Sequence, residues 1–217
     1  MLTQVNTRCV YYHHEPLPAH HKNNMTLAPF VDLINHSSNK NVSVSRVEDA
    51  LVIRSTRRIE ENEEIVFSYH SASGRFWVCE YGFWLQDNEF DDLDLSTELE
   101  GILSSQREWL ESEAYWGDYT VSKDGEASFR IQVALRSILE AGDMLREFME
   151  GKNDGKDHQS QVDEILGQLL LGKVAACQQA LALEKPECVA FDIVRQLWEA
   201  ELRIAQNAYE KLKPVSP

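Results

Sequence analysis

Glycine is missing from the first third of the chain: ten occur in 217 residues, and the earliest is Gly74. Nothing upstream of it can build a Gly-rich loop against which a phosphate or cofactor lies closely. Paired cysteines are missing as well. Cys9, Cys79, Cys177 and Cys188 are scattered without a CxxC pair, which excludes a zinc knuckle or a disulfide framework and fits a reducing intracellular setting, nucleus or cytoplasm. No cationic leader opens the chain, and no apolar run approaches the roughly 18 residues of a membrane span. Secretion and membrane insertion are therefore not expected. Positive charge is scarce: 21 Lys and Arg stand against 36 Asp and Glu, a net charge of −15. That balance opposes contact with nucleic-acid backbones and favours a basic protein partner. No serine sits in a GxSxG frame, so a nucleophile elbow is excluded.

What is present changes character near residue 97. Before it, apolar residues come in short strand-like bursts; after it, they recur mainly at helical spacing. Residues 41–47 and 50–54 are β-branched runs parted by Glu48-Asp49 and read as a hairpin, and residues 64–69 read as another strand. The charged stretch 57–64 is the loop between them. Residues 87–100 hold seven acidic side chains and no basic one, which reads as a solvated face at the edge of a domain. Beyond it, Ile102, Leu103, Trp109 and Leu110 predict one helix over residues 99–114. The Asp124-Gly125 pair predicts a turn between strands at 118–122 and 127–131. Helical spacing returns over 132–148, and the polar segment 151–160 is a connection in which Asp157 or Ser160 could cap the next helix. The stripe Val162, Leu166, Leu170, Val174, Cys177 and a second stripe after Pro186, including Leu197, Ala205, Ala208 and Leu212, predict an antiparallel helix pair. Core packing accounts for both stripes. The class expected is α+β.

Three segments carry chemistry. Residues 27–37, LAPFVDLINHS, place Asn35-His36 at the exit of an apolar element. Residues 65–69, IVFSY, bring Tyr69 to a strand end, and residues 80–83, EYGF, bring Tyr81 twelve residues later. An Asn-His pair alone is usually a turn with a satisfied imidazole. In this order, with residues 5–9 (VNTRC) ahead of them, the segments resemble the C-terminal half of a SET domain of the Rubisco-methyltransferase-like class of protein lysine methyltransferases. The resemblance runs through IVFSYHSASGRFWVCEYGFWLQDN into a helical region similar to that class's substrate-binding domain. It implies a β-rich partial SET fold at 1–96 and a mostly helical substrate-binding domain at 97–217.

By the same resemblance, Asn35 and His36 would hold S-adenosylmethionine, Arg8 would contact its carboxylate, Tyr69 would be the catalytic tyrosine, and Tyr81 would line the target-lysine channel with Phe67. Methyl transfer from a sulfonium to an amine needs in-line positioning more than a strong acid or a metal. A tyrosine oxygen can hold the methyl through CH···O contacts. An aromatic channel beside a sulfonium would lower the lysine pKa from about 10.4, so that the amine arrives neutral. Phe83 is a further candidate wall, although Phe67 and Phe83 could equally fill a β core.

The chain departs from the class in places. The N-terminal SET portion, with its glycine-containing cofactor strand, has no counterpart in the roughly 26 residues ahead of LAPFVDLINHS, so a truncated protein of weak or no activity alone, with exposed apolar strand edges, is expected. His70 stands where the class has glycine, and Gly74 where it has asparagine. The alternative reading is a non-catalytic acidic module that docks a basic partner. No structural metal is expected: Cys9, His13, His14, His20 and His21 have ligand chemistry, but their spacing fits no common zinc pattern and reads as a loop.

Overall fold

The structure, a computed structural model, describes residues 7–13, 17–21, 24–140, 142–184 and 188–213. His14 and Pro186 lie outside them. The chain forms two compact units, residues 1–72 with 79–81, and residues 73–78 with 82–217. Residue 97, where the apolar spacing changes, falls inside the second unit. Strands in short sheets followed by long helices make the α+β class expected.

Among its described residues, the first unit holds three two-stranded sheets. β1 (Cys9–Tyr11) pairs antiparallel with β2 (Met25–Leu27). The loop between them is tied by Asn24, only 1% exposed, whose amide donates to the carbonyls of Pro18 (2.7 Å) and Ala19 (2.9 Å). β3 (Asn35–His36) runs parallel to β6 (Val66–Phe67), with Asn35 opposite Val66 and His36 opposite Phe67. The predicted hairpin is present: β4 (Val42–Val47) and β5 (Ala50–Ser55) pair from Val42 opposite Ser55 to Val47 opposite Ala50, around Glu48-Asp49. The strand expected over 64–69 is shorter than that, since only two residues of it find a ladder. Apolar residues stay open here, among them Leu27, Phe30, Leu33 and Ile65, and the buried apolar side chains described are few, Val31 and Val42.

The second unit holds the contiguous core. α1 (Gly74–Phe76) runs directly into a π-helical turn (Trp77–Tyr81). Gly74 is required by close approach: a Cβ there would lie 2.4 Å from the Trp84 ring, while its N–H donates to Asp91 at 2.8 Å. β7 (Asp92–Asp94) pairs antiparallel with β8 (Thr120–Ser122). The acidic run 87–100 is thus not a fully solvated face. Leu93, Leu95 and Leu99 within it are completely buried, and Asp91 is 8% exposed.

Several expectations need correction. Residues 99–114 form two helices, α2 (Ser96–Ile102) and α3 (Arg107–Ser112), because a 3-10 turn at Ser104–Gln106 intervenes. Serines there compete for backbone partners, yet Leu103 and Leu110 are both fully buried. The turn at 123–126 exists, with Gly125 at φ 83, but the strand after it does not. Ser128 caps a helix instead, its hydroxyl accepting from the Ile131 N–H, and α4 (Phe129–Leu139) follows. β8 takes β7 as its partner, leaving one bridge to Ala127. Residues 132–148 break at Gly142, φ 76, before α5 (Asp143–Met149). α6 (Lys156–Leu181) starts ahead of both proposed caps; Asp154 accepts from the Lys156 N–H and Gly155 precedes it at φ 69. α7 (Val189–Leu212) returns antiparallel: Arg195 donates to the Leu181 carbonyl at one end, and Gly167 faces Tyr209 and Leu212 at the other. Leu135, Val162, Leu170 and Ala205, all fully buried, join the two long helices to the rest of the core.

Candidate active site

Tyr69 is fixed at both ends within the first unit. Its backbone N–H donates to Nδ1 of His36 (3.0 Å), and its hydroxyl donates to the Ile34 carbonyl (2.8 Å). Ile34 directly precedes β3 and His36 ends it, and parallel pairing with β6 brings this segment alongside the chain just before Tyr69. Because Nδ1 of His36 accepts a hydrogen bond, the imidazole is neutral with its proton on Nε2. Burial, and then the charge of His70, push the His36 pKa down in agreement. Burial pushes the Tyr69 phenol up, so it stays protonated at neutral pH; nearby Arg8 opposes this. The Tyr69 proton is directed at Ile34, which turns the phenol oxygen into an acceptor on its other side.

Around Tyr69 lies an aromatic cluster. Its ring centroid is 4.9 Å from Phe67, 5.2 Å from His36 and 5.6 Å from Tyr81. The Tyr81 phenol is also raised by burial, then by Glu80. Arg8, Phe67, Tyr69 and Tyr81 line one cavity of about 570 Å³. Asn35 and His36 do not line it: Asn35 is exposed and donates to Glu64 at 2.7 Å, and His36 acts through Tyr69. Phe83 is not in its wall either; it stacks on Trp77 at 5.4 Å in the second unit.

The cavity has cationic residues that sequence reasoning passed over. Lys40 and Arg46 join Arg8 in its lining, against Asp32. Arg8 donates to the Asp32 carbonyl at 2.5 Å. Arg46 donates to the carbonyls of His13 (2.8 Å) and Glu48 (2.9 Å) and lies 4.4 Å over the Tyr12 ring. His70, beside Tyr81 at 6.4 Å, also lines the cavity. A second omission is Asn41, fully buried. Its N–H donates to the Val66 carbonyl and its side-chain oxygen accepts from the Val66 N–H, while its amide donates to the Glu64 carbonyl and the Glu63 carboxylate. It holds β6 in place, and a polar residue directly ahead of a β-branched run was its only signal. His13 bonds the Leu17 carbonyl at 2.6 Å, as a loop histidine does.

The donor set fits a molecule with an anionic end and a soft cationic end. Guanidinium and ammonium groups suit a carboxylate, and the faces of Phe67, Tyr69 and Tyr81 suit a sulfonium. Residues 3–70 match the SET domain. Residues 91–211 match the ribosomal lysine N-methyltransferase 2 C-terminal domain, and the chain belongs to that family.

Curated relatives agree in kind. The chain is 28% identical over 221 residues to ribosomal lysine N-methyltransferase set11 of Schizosaccharomyces pombe, covering 95% of this chain and 57% of that protein. It is 27% identical over 199 residues to ribosomal lysine N-methyltransferase 2 of Saccharomyces cerevisiae, covering 82% and 41%. Over 58 residues it is 43% identical to SET domain-containing protein 8 of Schizosaccharomyces pombe, covering 26% and 14%. The chain spans about half the length of the first two relatives.

Proposed function

We propose that this chain is part of an S-adenosylmethionine-dependent protein-lysine N-methyltransferase that modifies a basic protein inside the cell, a ribosomal protein being the first substrate to try. The observation that carries the reading is Tyr69, clamped by His36 and Ile34 at the head of an aromatic cavity with a cationic wall. S-adenosylmethionine, when bound, supplies the activated methyl group. Arg8 takes its carboxylate, while Asn35 and His36 act from outside the cavity lining, Asn35 through Glu64 and His36 through the Tyr69 backbone. The Tyr69 oxygen accepts the polarised C–H bonds of the transferring methyl. Phe67 and Tyr81 flank the lysine, exclude water and favour its neutral form. The SET portion ends before residue 97, and the helices after it recognise the substrate protein.

Residues 1–73 offer no glycine for a close cofactor approach, so the isolated chain is expected to turn over slowly. The test is transfer of labelled methyl groups to purified ribosomal proteins, together with calorimetric cofactor binding, for the wild type, Tyr69→Phe and Asn35→Ala. Loss of transfer in Tyr69→Phe and weaker cofactor binding in Asn35→Ala are expected. Unchanged turnover in both variants would overturn the site. A chain that binds no cofactor yet binds basic proteins would support the docking-module reading, which the charge of the second unit favours: 27 acidic residues stand there against 14 basic ones, whereas the first unit has nine against seven.

A further inference from the structure

Gly167 stands where α6 faces the end of α7. A Cβ at that position would sit 3.7 Å from the Tyr209 ring and 3.9 Å from Leu212. A groove of about 630 Å³ opens there within the second unit, lined by Gly167, Tyr209, Leu212 and Lys213, with Asp163, Glu164 and Leu171 on its α6 side. Leu171 is 45% exposed, although it stands on the rim of an apolar floor. Asp163 accepts from Gln159 at 2.7 Å, and Glu164 makes no ion pair among the described residues. The face of Tyr209 already holds an ammonium group: Lys213 lies 5.0 Å from the ring centroid, with its charge balanced by Glu210 at 2.6 Å.

These features together define one kind of occupant. Carboxylates ask for basic side chains, Leu171 and Leu212 ask for aliphatic ones, and Tyr209 accepts a lysine or arginine in place of Lys213. The charge of the surrounding unit attracts the same chemistry and repels an acidic segment. We infer that the groove between α6 and α7 docks a basic, leucine-bearing segment of the protein substrate. The inference rests on the methyltransferase reading for its occupant but not for its test.

The test uses the full 217-residue chain and two labelled synthetic peptides, an amphipathic Lys/Leu helix and its Glu/Leu counterpart, followed by fluorescence anisotropy without cofactor. The Lys/Leu peptide should bind and the Glu/Leu peptide should not. Glu164→Lys and, separately, Leu171→Ser should each weaken binding about tenfold, the loss of one charge pair or apolar anchor. Glu108→Lys, an equal charge change on the exposed face of α3, should weaken it less than about twofold. Both groove positions are at the surface, and melting curves matching the wild type establish that the variants fold. No binding, equal binding of both peptides, or equal loss in the groove and α3 variants would each overturn the groove. Methyl transfer failing while groove-dependent binding persists would count against the catalytic reading alone.

Discussion

The two units divide the labour of the chain unevenly. The first carries Arg8, His36, Phe67, Tyr69 and Tyr81, has few buried apolar residues among those described, and leaves Phe30 77% and Leu33 69% exposed. The second carries a continuous core from Leu93 to Ala208 and almost all of the excess negative charge. Chemistry-bearing side chains here are held by hydrogen bonds to named partners rather than by hydrophobic mass. Packing and charge are concentrated in the unit that carries none of these side chains. A region with few buried apolar contacts opens locally at lower cost than a packed one, so the two units should respond differently to the same insult.

The largest separation should come from the core. Leu170→Ala, at a fully buried position of α6, should cost about 2–5 kcal/mol, read by denaturant melts, with hydrogen exchange accelerating over residues 82–213. If exchange over residues 24–72 accelerated equally, the units would be one cooperative block and the contrast would fail. Tyr69→Phe should do the reverse. Turnover should fall about 100-fold, while loss of the Ile34 hydrogen bond should cost only about 0.5–1.5 kcal/mol.

Arg75→Ala tests a polar element of the second unit. Arg75 reaches Glu201 at 2.5 Å and Asp94 at 3.8 Å, and the Glu201 side chain is only 6% exposed. Removing the guanidinium strands a buried carboxylate. The expected loss is about 2 kcal/mol, below that of a fully buried pair because Arg75 is partly solvated. Arg75→Ala paired with Glu201→Gln should recover part of it in thermal melts.

Smallest should be an effect of pH. His36 has its folded pKa lowered by burial, so the unfolded chain binds the proton first. The stability that neutral His36 lends is present above the unfolded value, about 6.5, and is lost as pH falls through the lower folded value. Protection factors over residues 34–70 should therefore fall as pH drops below about 6.5 while residues 156–212 remain protected. His36→Gln should flatten that dependence.

How much was legible follows the range of the interactions. The hairpin at 42–55 and the two long helices could be read because their partners are near in sequence or repeat at a fixed spacing. Only the first turn of the helix at Phe129–Leu139 was read as strand, at 127–131, because Asp-Gly announces a hairpin, while one hydroxyl, Ser128, decides the outcome. The break between α2 and α3 was hidden because Leu103 and Leu110 keep helical spacing across it and are both buried. Residues Arg8, Phe67, Tyr69 and Tyr81 were named from motif order, and the structure brings them to one cavity. The parallel pairing of β3 with β6 spans about thirty residues and only two ladder positions, so no periodicity could reveal it, nor the links from Tyr69 to His36 and Ile34 that depend on it.

Asn41 carries one consequence further. Its main-chain N–H and side-chain oxygen pair with the carbonyl and N–H of Val66 at 3.1 and 2.9 Å, the two-way exchange that neighbouring strands normally make through backbone alone. Here a carboxamide stands in as a peptide group by proxy, and the strand bearing Phe67 is completed by a side chain. Part of this sheet should thus be readable in side-chain NMR: the Asn41 NH₂ protons, anchored on Glu64 and Glu63, should exchange as slowly as the amides of a strand. Asparagine side chains open to solvent should not.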